Sequence, residues 1–98
     1  MLISEHHGTI QVVGGTGYAT IHVLVGVMQQ VIIIPTTAGN VYDFSVINSK
    51  NFIVIDGVDR VGEFNNACLL PLRDNATLQI TGANIDEEFS YYISINES

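Results

Sequence analysis

Phe89-Ser90-Tyr91-Tyr92-Ile93-Ser94-Ile95 is the stretch on which the fold turns. Phe89, Tyr91, Ile93 and Ile95 share one face of an extended chain, opposite Ser90, Tyr92 and Ser94, which is the period of a strand with one buried side. Three earlier segments follow the same rule. Tyr18 to Val25 sets Ala19, Ile21, Val23 and Val25 against Tyr18, Thr20, His22 and Leu24. Val41 to Ile47 turns Tyr42, Phe44 and Val46 inward and Asp43 and Ser45 outward, and Ala76 to Thr81 sets Ala76, Leu78 and Ile80 against Thr77, Gln79 and Thr81. Valine, isoleucine and threonine supply 31 of the 98 residues, and their branched Cβ atoms suit a pleated sheet better than a helix.

Turn residues punctuate these runs, three of the five intervals between them falling within eight to twelve positions: Gly14 to Gly17, Thr37 to Asn40, Asn48 to Asn51, Asp56-Gly57, Arg73 to Asn75 and Gly82 to Asn84. That spacing predicts an all-β chain, a single antiparallel β-sandwich or jelly-roll-like barrel of about eight or nine strands. Asp56-Gly57 reads as a hairpin turn between Phe52 to Ile55 and a strand beginning at Val58. Residues 18–98 form the sandwich, and residues 1–17 an N-terminal arm or a first strand.

The composition excludes several classes. With 47% hydrophobic residues against 13% charged, the chain is neither a disordered segment nor a coiled coil. Three Lys and Arg against ten Asp and Glu give a net charge of −7, which repels a phosphate backbone, so no nucleic-acid partner is expected. The longest apolar run, Val23 to Ile34, holds Gln29 and Gln30 and is shorter than the roughly 20 residues of a membrane helix, so no membrane is expected. The first residues, Met1 to His7, lack the basic and apolar regions of a secretory signal. On that reading Asn75-Ala76-Thr77 and Asn96-Glu97-Ser98 match the glycosylation sequon by chance.

Candidate chemical sites are few. Gly15-Thr16-Gly17 has Thr20 where a phosphate-binding loop needs its last glycine and is followed by a strand, so it reads as a turn. His6 and His7 point to opposite sides of an extended chain, and His22 falls on the polar face of its strand. Cys68 lies in an apolar run and reads as a small buried hydrophobe. Asp56, Asp59 and Glu63 form one acidic group, and Asp86, Glu87 and Glu88 another. Neither has the spacing of a dedicated calcium loop, and both read first as solvated loops, with calcium as the alternative. No cofactor and no catalytic set is expected.

Val27 to Pro35 is apolar on both faces, Val31 and Ile33 on one and Ile32 and Ile34 on the other, and Phe52 to Ile55 is similar. Such a strand needs cover on both sides, from a subunit contact or from a long loop of its own chain. The contact reading names Val27, Met28, Val31 and Ile33 as interface residues. It adds Tyr18 and Tyr92, which stand on the outer faces of their strands and suit a protein partner or a sugar ring.

Tyr42-Asp43-Phe44-Ser45-Val46 followed by Phe52-Ile53-Val54-Ile55-Asp56-Gly57, and the later run from Leu70 to Gly82, sit in an acidic, lysine-poor chain. In these the chain resembles the small structural proteins of tailed-phage virions, most of all capsid decoration, or cement, proteins. The resemblance implies a non-enzymatic protein, made in the host cytoplasm, that coats an assembled capsid. Its partners would be the major capsid protein and copies of itself in a homotrimer, with Met1 to Gly17 laid on the shell or a neighbour. The alternatives are a carbohydrate-recognition or fibre-tip module, using loop tips at Asn65-Asn66 and Asp86 to Glu88, and a phage tail or neck component.

Overall fold

A computed structural model describes residues 2–23, 25–37, 39–83 and 86–97. Met1 of the expected arm, Leu24 of the first alternating run, Ala38 and Asn84 of two expected turns and Ser98 of a sequon lie outside the described residues. Among the described residues eight strands follow one another: β1 (Leu2–Gln11), β2 (Gly17–Ile21), β3 (Gly26–Pro35), β4 (Val41–Asn48), β5 (Ile53–Val61), β6 (Phe64–Leu72), β7 (Ala76–Thr81) and β8 (Glu88–Glu97).

Their pairing is nested. β4 pairs with β5, β3 with β6, β2 with β7 and β1 with β8, all antiparallel, so the chain is one long ribbon doubled back at the β4–β5 turn. The ribbon is then rolled until β8 lies against β3 and β7 against β4. The result is two four-stranded sheets, β1-β8-β3-β6 and β2-β7-β4-β5, the arrangement of a jelly roll. At the tip of the ribbon the Asn48 side chain accepts the N–H groups of Lys50 and Phe52, both at 3.0 Å. That is the side-chain turn chemistry for which asparagine is favoured.

The predicted inward residues of β4, β7 and β8 face the space between the sheets. Tyr42, Phe44, Val46, Leu78, Ile80, Phe89, Ile93 and Ile95 are buried there together with Met28, Val31 and Ile33 of β3. Tyr42 meets Phe89 edge to face at 5.0 Å, and Phe44 reaches across to Phe64 at 4.5 Å, so aromatic contacts tie the two sheets. The Tyr42 hydroxyl donates to Gly62 O at 2.7 Å, and burial pushes its pKa above the ordinary 10.0 against the opposing pull of Arg60.

Two local expectations are corrected. Asp56-Gly57 is no turn, because β5 runs through it from Ile53 to Val61; Gly57 lies opposite Phe44, whose ring takes the space a side chain would need. The reversal comes at Gly62, where a φ of 76° suits glycine. Val25 does not share the buried face of Ile21 and Val23 but is 47% exposed. β2 ends at Ile21, and beyond it the chain crosses to the other sheet, with Val23 N held by Asn75 Oδ1 at 3.0 Å.

Candidate interaction surfaces

The six residues expected at an interface separate into two groups. Met28, Val31 and Ile33 are fully buried between the sheets, so they belong to the chain's own core and present nothing to a partner. Val27 and Tyr92 are half-buried and Tyr18 is 69% exposed. Tyr18 stands on β2, paired with Gln79 of β7, and Tyr92 stands on the outer face of the other sheet, so the two serve opposite sides of the molecule.

The outer face of β1-β8-β3-β6 is built by register. Tyr92 lies between His7 of β1 and Ile32 of β3, and Ile32 in turn lies beside Asn65 of β6. Ile34, opposite Ser90, is 43% exposed. At the other end Val27 sits between Asn96 and Pro71, and the shielded Oδ1 of Asn96 has no hydrogen-bond partner among the described residues. The Tyr92 hydroxyl donates to Glu5 Oε1 at 2.9 Å, and this bond raises its pKa. On its outer side β3 therefore carries Val27, Ile32 and Ile34 together with Gln30, and no loop among the described residues hides Ile34.

The second surface is the flank where β5 and β6 face one another across the edge of the sandwich. Both strands are mostly exposed, and Leu69 is 77% so. A groove of about 450 Å³ runs there, lined by Ile55, Asp56, Arg60, Glu63, Phe64, Asn65 and Asn66. The Arg60 guanidinium covers the Phe64 ring at 5.2 Å from its centroid, a cation–π contact that shields the ring from water. Asn65 and Asn66 are not at a loop tip as expected but within β6, where Asn65 Oδ1 accepts from Gln30 Nε2 at 3.0 Å.

The other candidates take structural places. Val13 and Thr16 exchange backbone bonds around Gly14-Gly15, at 3.0 and 3.3 Å, in a tight turn. Glu87 turns inward, its carboxylate accepting from Thr37 N at 3.4 Å and Asn40 Nδ2 at 3.3 Å, while Asp59 donates its N–H to Asp43 Oδ1 at 2.7 Å. No cluster of three His, Cys, Asp or Glu suited to a metal occurs among the described residues. Cys68 is half-buried against Met28 O at 3.4 Å, and burial raises its pKa. Ser4 Oγ lies 3.0 Å from His6 Nε2, the contact that strand geometry gives residues two apart. Among the described residues no helix is long and apolar enough to cross a membrane.

No family model and no curated protein sequence matches the chain. Among solved structures it is similar to a family two carbohydrate esterase from Cellvibrio japonicus, with 9% identity and a TM-score of 0.40 over 99% of this chain and 35% of the other. It is also similar to a chain in the structure of infectious bursal disease virus Gt strain, with 14% identity and a TM-score of 0.36 over 96% and 31%. The chain thus spans about a third of the length of either structure, and neither likeness bears on its chemistry.

What the sequence missed is the sidedness of β3. Alternation shows that Val31 and Ile33 oppose Ile32 and Ile34 but not which pair is inside. The register shift between Met28 and Gln30 also changes phase along the strand.

Proposed function

We propose that the chain is a non-enzymatic structural protein of a virion that binds an assembled capsid shell through the outer face of β1-β8-β3-β6. The observation that carries this reading is the exposed Ile34 and half-buried Ile32 on the outer side of the central strand β3, next to Tyr92. A central antiparallel strand with a solvated face normally turns polar residues outward. Apolar ones there suit a surface that a partner covers, and the resemblance to capsid decoration proteins supplies the partner. The net charge of −7 keeps the free protein soluble before it docks.

The test is co-sedimentation with shells assembled from the major capsid protein of the same genome. Ile32→Thr with Ile34→Lys changes only this face, so the variant should keep its melting temperature within a few degrees and pellet with shells far less. Undiminished pelleting of the folded variant overturns the reading. A second reading, a ligand-binding module or a fibre, tail or neck component, is favoured by the groove at Arg60, Phe64 and Asn66. It predicts glycan-array binding that Arg60→Ala abolishes and Ile34→Lys leaves intact.

A further inference from the structure

Four strands end the two sheets, and three of them are blunted. β2 has only five residues. β5 shifts register twice against β4, with Asp59 at a φ of 53° and Arg60 beside it. β6 shifts against β3 and carries Pro71. Bulges, charges, proline and brevity are the devices by which proteins keep sheet edges from pairing with other chains. β1 is the least protected of the four: it pairs with β8 over ten residues without a shift, holds no proline, lysine or arginine, and carries Glu5 as its one carboxylate.

The open side of β1 can be assigned residue by residue. Val12, just beyond the strand, donates its N–H to Glu87 O at 2.8 Å, in the same register that pairs Leu2 with Glu97 and Ile10 with Phe89. The even-numbered residues therefore direct their backbone groups at β8. Ile3, Glu5, His7 and Thr9 direct theirs to the free edge, and all four are exposed.

We propose that this edge pairs with the same edge of a second copy, antiparallel about a two-fold axis through His6, to form one continuous eight-stranded sheet. A two-fold axis normal to the sheet keeps outward side chains outward, so the axis must pass through a residue and not between two. Centring on Glu5 sets two carboxylates face to face, and centring on His7 sets Glu5 opposite Thr9. Centring on His6 sets Glu5 opposite His7 of the other copy, twice by symmetry, with Ile3 opposite Thr9 and Leu2 opposite Ile10. This register overlaps residues 2–10 and forms about eight backbone hydrogen bonds. Glu5 Oε1 already accepts from Tyr92, which leaves Oε2 for the imidazole. The pairing does not rest on the shell reading, and it replaces the trimer that the resemblance implies for the free protein.

The test is the absolute mass in solution by size-exclusion chromatography with light scattering, at about 10 to 100 µM. The expected mass is twice the 10.7 kDa of the chain. His7→Pro removes an N–H that faces the free edge and leaves the β8 ladder whole, so it should give a folded monomer. Glu5→Lys should weaken self-association at least about tenfold, and Glu5→Lys with His7→Glu should restore it. The swap keeps the test open should His7→Pro fail to fold. A monomeric or trimeric wild type, or a dimer indifferent to these substitutions, overturns the proposal. So does a wild type that stays monomeric alone and pairs through β1 only with a shell protein. Shell pelleting by His7→Pro is read separately and reports on the shell reading alone.

Discussion

The ring of Phe44 occupies the space that a side chain at Gly57 would need: a Cβ there would overlap Cε1 of the ring and crowd the Cγ and Cδ of Arg60. Gly57→Ala should therefore cost about 1 to 3 kcal/mol in urea unfolding, the usual penalty for overfilling a packed site. In the Phe44→Leu background, where the ring is gone, the same change should cost markedly less, and the double-mutant cycle reads the coupling. Equal costs in both backgrounds would show that the overlap is relieved elsewhere.

Asn48 holds the tip of the ribbon through two bonds from one side-chain oxygen. Asn48→Ala should destabilise by about 1 to 2 kcal/mol, and Asn48→Asp, which keeps the acceptor, by less. Chemical denaturation followed by tyrosine fluorescence separates the two.

Asp43 Oδ1 accepts the N–H of Asp59 where β5 bulges. Removing the acceptor in Asp43→Ala should cost about 1 kcal/mol, whereas Asp43→Asn should retain most of it. Amide exchange at Asp59 should quicken in the alanine variant alone.

Alkaline pH should weaken the fold. Burial raises the pKa of Tyr42 above 10.0 and that of Cys68 above 9.0, so the folded state holds both protons more tightly than the unfolded chain. The stability this confers is complete below the unfolded values and is lost as pH rises through the folded ones. Urea midpoints should fall above about pH 9. Cys68→Ala should remove the earlier part of the decline and Tyr42→Phe the later part.

The parts of the fold that the sequence disclosed are those governed by a period of two. Tyr42, Phe44 and Val46, then Ala76, Leu78 and Ile80, then Phe89, Ile93 and Ile95 are all buried on one face, because solvent on one side of a sheet imposes alternation. Asp56-Gly57 misled because glycine marks a missing side chain as readily as a positive φ, and only the distant Phe44 shows which is meant. The pairing of β1 with β8 joins residues more than seventy positions apart and leaves no local mark. The same holds for the candidate surface. Two apolar faces on β3 were visible, but the neighbours that decide which is outside, Tyr92 on one strand and Asn65 on another, come together only when the ribbon rolls.

Because the strand pairs nest, Leu2 lies opposite Glu97, and anything attached to either end leaves from the same corner, beside the open edge of β1. A tag at either end therefore stands where a second copy would dock, whereas a label at Gly62-Glu63, at the opposite end of the strands, clears it. The same closeness means that a short linker could join the ends while new ones open between Ser49 and Lys50. Such a circularly permuted chain would keep every strand pair and exchange the tip of the ribbon for its mouth.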